Sequence, residues 1–538
     1  MSNDLECFIC LTPSESFCDH CKIPYCSENH FQFHKSSHNG SCLPFRAFYK
    51  PELGRYVVAT RDIEPLEVIL EDKAAVFGPN HDTKPVCLEC LKPLNEEDHA
   101  DCPNGCGYPL CNNQDCWNGP NHNIECEIFR NLKTNFKMKV KFNRIDNMGK
   151  ELKLAPEYGC ITPLRLAASK YKDKKLWSLL QSLMDHDVER RKEEKYWKMF
   201  QVNVVEFLRN TCGLKEEFSE EELFHCVGIL RTNAFHLENK IPTSIGRAVF
   251  PIFSLLSHSC ICNCRYSASG TTQKITVRAQ KAIKKGEELT IQYISFMYGH
   301  LKRRSDIKKC WFFNCICSRC QSPSEFNSYM SAVKCINCPD GYVIPTNSLE
   351  YEGHWCCISC KKEMSSNQVI AIHDKFEDEL FNTFENDLKR YEILIPQFLE
   401  ELHPRHYLVL TAKKYLADLY GTSQGYLLNE LSEEKLALKL QYYEEFKETI
   451  EKVDSGLTKW KGNLLFKVYK VLFFKANTDP TLKKDKPKFL NSLREIEKVL
   501  EECILCLLEE DESTMSQRKT AIQAQKQLKE ILFFSDFI

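Results

Sequence analysis

Apolar and polar residues alternate along GRYVVATRDIEPLEVILED, from Gly54 to Asp72, in a run rich in valine and isoleucine. A period of two puts every second side chain on one face of a strand. Pro65 breaks the run, so the segment predicts two short strands around a turn. The stretch QKITVRAQKAIKKGEELTIQY, from Gln273 to Tyr293, repeats the alternation with a turn at Gly286. Within 127–225 the period changes. There KLWSLLQSLMDHDVERRKEEKYWKMFQVNVVEFLRN spaces its apolar residues three and four apart around an exposed ERRKEEK helical turn, and a solvated helix face accounts for that charge run. From about residue 366 the pattern is helical to the end. Leu408, Ala412, Leu416 and Leu419 follow the HPRH break at helical spacing, and Gly421 stops them. Ser432 opens the next helix with Glu433 and Glu434 in its first turn, although Lys435 stands where a capping box has an acid. No clean internal repeat is visible in this tail. Together these elements predict an α+β multidomain chain with an all-α C-terminal region.

The 538 residues exceed what one core organises, so two to four domains are expected. Lys plus Arg number 72 against 74 Asp plus Glu, a balance that argues against a chain built to coat nucleic acid. The thirty cysteines change the picture most. The start, MSNDLECFIC, has neither a basic nor an apolar leader region, and no apolar run reaches the ~20 residues that span a bilayer. The expectation is an intracellular protein, in nucleus or cytoplasm, with thiolates on zinc rather than disulfides.

The spacing supports metal. Near the start runs the ladder Cys7, Cys10, Cys18, Cys21, Cys26, His30, His38, Cys42, enough for two four-coordinate ions. A second ladder is Cys87, Cys90, Cys102, Cys106, Cys111, Cys116, His122, Cys126. CICSRC supplies Cys315, Cys317 and Cys320, one ligand short of a closed site, and SLLSHSCICNC (254–264) is the obvious donor of the fourth. Cys335, Cys338, Cys357 and Cys360 have zinc-ribbon spacing, with Cys356 an equal alternative to Cys357. About six ions would fill these sets. Twenty-one thiolates against six divalent ions would move the formal charge from −2 to about −11, which suits a basic peptide partner better than a phosphate backbone. Leftover cysteines such as Cys160, Cys212 and Cys503 read as small buried apolar residues.

RTNAFHL (231–237), SLLSHSCICNC (254–264), GEELTIQYISFMY (286–298) and WFFNCICSRC (311–320) resemble, in order, the core and post-SET motifs of the SET-and-MYND protein-lysine methyltransferases. Both ladders resemble MYND fingers, one in front of the SET domain and one inserted in it, as in divergent insect-type members. The resemblance implies interleaved chelation: Cys7, Cys10, Cys26 and His30, then Cys18, Cys21, His38 and Cys42. For the second finger it implies Cys87, Cys90, Cys111 and Cys116, then Cys102, Cys106, His122 and Cys126. It makes Cys260 the missing post-SET ligand, Tyr293 the active-site tyrosine, and Gly54, Arg55, Asn233, Ser257, His258 and Phe313 the S-adenosylmethionine-binding set. The implied order is a first finger over 1–43, SET over 44–86, an inserted finger over 87–126 and a helical insertion over 127–225. SET core over 226–300, post-SET over 301–322, a ribbon over 323–365 and a tetratricopeptide-like helical domain over 366–538 follow.

Methyl transfer from a sulfonium to an amine is a direct displacement, so donor and acceptor must be aligned and desolvated. A lysine near pKa ~10.4 has to lose its proton first. A tyrosine, itself near ~10, serves better by orienting the amine in a dry channel than as a base. Three positions depart from the family pattern: Ser257 for asparagine, Cys262 for proline, and Tyr56 for a glycine two places after Gly54. Trp311 also replaces a usual tyrosine. A ring at position 56 is expected to cost space or backbone strain. Two functions therefore stand: a lysine methyltransferase acting on a histone or another protein, or an adaptor whose SET domain no longer turns over and whose fingers dock proline-rich peptides. A membrane partner is not expected. Direct DNA binding is disfavoured, since the ladders are not of the helix-presenting Cys2His2 type and no basic stripe is present.

Overall fold

The computed structural model describes residues 6–7, 12–19, 24–28, 30–32, 43–50, 54–80, 85–95, 97, 99–131, 156–237, 246–270, 272–507 and 515–537. The first alternating run forms strands Gly54–Ala59 and Val68–Lys73. The second forms Lys274–Ala279 and the short Thr290–Ile291, with Gly286 between them at φ 91°, a left-handed position where a Cβ would be strained. Val68–Lys73 pairs antiparallel with Lys274–Ala279, which pairs in turn with Cys264–Ala268. The two runs thus meet in one sheet although the helical insertion separates them in sequence. A second sheet orders Val76–Pro79, Gly246–Val249 and Ala234–Leu237. Ile69, Leu70, Val249, Ile275 and Val277 fill the space beneath, each at most 1 % exposed.

The insertion is more broken than its periodicity predicts. ERRKEEK is not one helical turn: helix Asp187–Arg190 stops there and Glu194–Phe200 begins. Arg191 bonds Asp187 at 2.6 Å and lies 4.3 Å over the Trp197 ring, so this part of the charge run folds onto its own aromatic residue. Gln201–Thr211 then winds as a π-helix. Helix Glu220–Asn233, capped by the Ser219 side chain with three glutamates in its first turn, runs through the expected 225/226 boundary. Its C-terminal end delivers Asn233 to the site described below.

Beyond the ribbon, helices Ser366–Phe381, Leu388–Glu401, Tyr407–Leu419, Glu433–Val453, Lys459–Thr478, Lys486–Leu507 and Met515–Phe537 pack largely on their sequence neighbours. Ser432 accepts from the Lys435 N–H as a simple cap without the reciprocal acid. A full capping box, missed in the sequence, joins Ser365 and Gln368.

The turn after Val453 docks these helices on the sheet that contains Cys264–Ala268 and Lys274–Ala279. Leu457 N–H donates to the Gln280 carbonyl at 2.7 Å, Gln280 donates to the Ser455 carbonyl, and Arg265 donates to the carbonyls of Leu457 and Cys506. Gly456 sits at φ 106°, and a Cβ there would lie 2.3 Å from the Gln280 carbonyl oxygen. Gly456→Ala is therefore expected to cost about 2–4 kcal/mol through strain and overpacking. The loss should appear in the urea midpoint, with faster proteolysis between the two units.

A cluster of histidines lies where helices His300–Trp311, Ser366–Phe381 and Tyr407–Leu419 meet the sheet that holds Trp355. His406 and His373 face each other, Nε2 to Nε2, at 3.1 Å. Leu408 N–H donates to His406 Nδ1, so His406 carries its proton on Nε2 and donates it to His373. Burial pulls His300, His373 and His403 down to about 4, and His406 further. Each is a base more basic in the unfolded chain, so unfolding takes up protons as pH falls from about 6.5 to about 4, and stability falls with it. At about pH 5 the expected loss is about 2 kcal/mol per histidine relative to neutral pH. Urea midpoints of zinc-loaded protein between about pH 7 and about pH 5 would measure it, and His373→Asn should flatten the slope.

Candidate functional site

Five groups of cysteine and histidine converge with their ligand atoms within 4.8 Å of one another. They are Cys7, Cys26 and His30; Cys87, Cys90, Cys111 and Cys116; Cys102, Cys106, His122 and Cys126; Cys260, Cys315, Cys317 and Cys320; and Cys335, Cys338, Cys357 and Cys360. Cys10, Cys21, His38 and Cys42 lie outside the described residues. The other three ligands expected beside Cys18 are among them, so that set has only Cys18, itself buried, within the described part. The sulfur separations, 3.8 Å for Cys90–Cys111, 3.6 Å for Cys102–Cys126 and 3.6 Å for Cys338–Cys357, are far longer than a disulfide. They match the ~3.8 Å edge of a tetrahedron with ligands ~2.3 Å from its centre. The donor sets therefore fit zinc. In the ribbon Cys357 takes the place, while half-buried Cys356 turns to its neighbour's carbonyl. Gly341 is required there, since a Cβ would meet the Cys338 sulfur at 2.2 Å.

His122 is held by residues that sequence reasoning passed over. Its Nδ1 is 3.0 Å from Glu125 Oε1, and Glu125 pairs with Arg165 at 2.5 and 2.7 Å; all three are buried. Arg165 also donates to the carbonyls of Phe77 and Leu88. One guanidinium thus ties the Cys87–Cys126 metal-binding segment to strand Val76–Pro79, and the carboxylate fixes the imidazole for metal binding. The signal was present, as Glu125 follows His122 by one helical turn.

The opening stretch of the post-SET set is strand Ser257–His258, parallel to Thr290–Ile291. Asn263 locks the crossing, donating to the Glu288 carbonyl at 2.8 Å and accepting from Thr290 N–H at 2.9 Å. His258 joins the metal set to Tyr293. Tyr293 N–H donates to His258 Nδ1 at 3.1 Å, so the ring proton sits on Nε2, 3.3 Å from Cys260 Sγ. The Tyr293 hydroxyl donates to the Leu256 carbonyl at 2.7 Å, and burial pushes the phenol well above its usual value. Trp311 packs 5.2 Å from the Tyr293 ring and hangs by its indole N–H from the Thr232 carbonyl at 3.1 Å. Phe313 lies 6.2 Å from His258. Beneath the thiolates, Arg303 and Arg319 share the buried Glu325, which holds that carboxylate down to about 2. The surplus guanidinium charge faces the thiolates.

Of the other expected residues, Asn233 spends both amide hydrogens on the carbonyls of Met184 and Ile229. Arg55 reaches Ser182 Oγ at 2.9 Å and its carbonyl at 2.6 Å. Both pin the 182–186 loop over strand Gly54–Ala59. The adjacent Gln181 has a buried side-chain nitrogen with no partner among the described residues, a donor a polar ligand could satisfy. Gly54 has φ 73° and nothing within 4 Å of an added Cβ. The strain expected at Tyr56 is absent. Its backbone is ordinary strand, and its ring turns to Phe48 at 5.9 Å with Lys50 above it at 4.8 Å.

The SET domain family model matches residues 54–294. A similar curated relative is the SET domain-containing protein SmydA-8, isoform A, of Drosophila melanogaster, 26 % identical over 67 % of this chain and 74 % of its own. The histone-lysine N-methyltransferase Smyd1 of Mus musculus is 30 % identical over 26 % of this chain and 31 % of its own. A SET and MYND domain-containing protein of Dictyostelium discoideum is 28 % identical over 52 % and 60 %.

Proposed function

We propose that the chain is a SET-and-MYND-type, S-adenosylmethionine-dependent protein-lysine N-methyltransferase acting on lysine in a histone or another protein, a reading supported by its SET domain match and its similarity to SET-and-MYND relatives. The observation that carries this reading is the convergence of Ser257–Cys260, Thr290–Tyr293 and Trp311–Cys320 around the half-buried Tyr293. S-adenosylmethionine, when bound, supplies an electrophilic sulfonium methyl. Gly54, Arg55, Asn233, Ser257, His258 and Phe313 would hold it, with Gln181 added to the set. The fit rests on the open space at Gly54 and the unsatisfied Gln181 amide.

Tyr293 stays protonated in its buried setting, so it serves as an orienting hydrogen-bond group and not as a base. With Trp311 it would form one aromatic wall for an incoming lysine, and a desolvated setting there would favour the neutral amine. His258 is a positioning residue that transmits the order of the metal set to Tyr293. Cys260, Cys315, Cys317 and Cys320 form a closed four-thiolate set, suited to structural zinc with no position left for substrate. The metal ligands, including those outside the described residues, would take about six zinc ions. The division into eight segments is likewise proposed, as is docking of proline-rich peptides on the two fingers. No helix among the described residues is long and apolar enough to cross a membrane.

The test is transfer of labelled methyl from S-adenosylmethionine to lysine in histones and in a cell extract, read by mass spectrometry. Tyr293→Phe is expected to slow transfer about 10²- to 10³-fold while leaving S-adenosylhomocysteine binding intact. Incorporation that ignores Tyr293→Phe would place the chemistry elsewhere.

A further inference from the structure

A second cavity of ≈ 340 Å³ opens between helices Asp187–Arg190, Glu194–Phe200 and Glu220–Asn233 and the C-terminal end of His300–Trp311. None of the residues assigned above to methyl transfer or to metal lines it. Its apolar side is made by Trp197, Phe200, Phe224 and Val227, a size and lining typical of small-molecule sites. Its polar side is made by Arg190, Arg231 and Lys309 together with the carboxylates of Asp187 and Glu193.

The charges decide what would fit. Among the described residues, the lining Asp187 bonds Arg191 at 2.6 Å, the neighbouring Asp185 bonds His225 at 2.5 Å, and the lining Glu193 is solvent-exposed. Arg190 makes its bonds to the carbonyls of Asp185 and Cys310 and to the Thr232 hydroxyl, all neutral acceptors. Burial and the neighbouring Arg231 pull Arg190 down to about 10, as two guanidiniums sharing a space should. A cationic ligand finds no welcome, because Arg191 covers Trp197 at 4.3 Å and Arg231 lies 5.9 Å from the Phe200 ring.

We propose that this cavity is a binding site for a small amphiphilic carboxylate, its flat apolar body on the Trp197–Phe224 side and its carboxylate between Arg190 and Arg231. The site has a route to Tyr293. Arg190 holds the Thr232 hydroxyl, and the Thr232 carbonyl holds the Trp311 indole against Tyr293. An occupant that draws Arg190 inward would therefore shift the channel wall; this consequence alone rests on the methyltransferase reading.

The experiment is calorimetric titration of the zinc-loaded full chain with 2-naphthoate and with its neutral analogue 2-naphthamide. It reads binding, not methyl transfer, so its failure and that of the enzymatic reading are separable. Expected is saturable binding of 2-naphthoate, at least about tenfold tighter than the amide, the worth of one charge-assisted hydrogen bond. Arg231→Glu should remove that preference, and Val227→Trp, which fills the cavity, should remove binding of both. Equal affinity for the two probes, no binding, or unchanged binding in Arg231→Glu would overturn the proposal. So would unchanged binding in folded Val227→Trp, and if that variant fails to fold, Arg231→Glu decides.

Discussion

Removal of zinc by a chelator at neutral pH is expected to unfold the SET core, not only the fingers. A structural zinc contributes an apparent ~10–16 kcal/mol, as much as or more than the ~5–15 kcal/mol that holds a whole domain together. The inserted finger is not an appendage. Cys87, Cys102, Cys106, Cys111, Cys116 and Cys126 lie in the same buried cluster as Ile69, Val249 and Ile275 of the SET sheets. The post-SET set touches the site still more closely, because His258 spans Cys260 Sγ and Tyr293 N–H. The expected result is loss of the cooperative thermal transition. Early in the titration, backbone hydrogen exchange should rise at Ser257–Cys260 and Thr290–Tyr293. A stripped protein with an unchanged transition would show that the thiolate sets are incidental to the fold.

The second large effect is expected at Glu125. The carboxylate lies between His122 and Arg165, and all three are buried. Glu125→Gln keeps the shape and removes the charge, leaving the Arg165 guanidinium uncompensated in the core. The expected cost is about 3–5 kcal/mol of stability, together with a zinc affinity at this finger lowered about 10- to 100-fold. Glu125→Leu combined with Arg165→Met should recover much of the stability but not the affinity, because two apolar groups leave no orphaned charge while His122 still lacks its partner. Denaturant unfolding and competition with a zinc indicator separate the two quantities. Equal losses in single and double variants would mean that the charge is not what matters here.

Period and spacing carried much of this molecule in the sequence. The alternation in 54–72 and 273–293 located strands correctly, since one face of each must enter the core. Spacing marked out the cysteine ladders and the ribbon set because a tetrahedral ion tolerates few loop lengths, while the interleaved grouping within each ladder came from the resemblance to MYND fingers. Where the ligands were degenerate in spacing, as at Cys356 and Cys357, only three dimensions could choose. The charge run 189–195 is solvent-exposed over Arg191–Glu194, as its composition predicts; what the period missed is the break between helices Asp187–Arg190 and Glu194–Phe200. Tyr56 misled because a pattern says which residue is unusual, not which way its ring turns. Nothing in the sequence singles out Arg303, Arg319 and Glu325, and their burial beside four thiolates comes from tertiary packing that no local period encodes.

The central claim is that the residues gathered around Tyr293 hold S-adenosylmethionine. Calorimetric titration of zinc-loaded protein with S-adenosylhomocysteine tests it without a known substrate. One-to-one binding in the micromolar range, kept in Tyr293→Phe and lost on chelation, is the predicted result. No binding by folded, zinc-replete protein would contradict the account and leave the two fingers as the working part of the molecule.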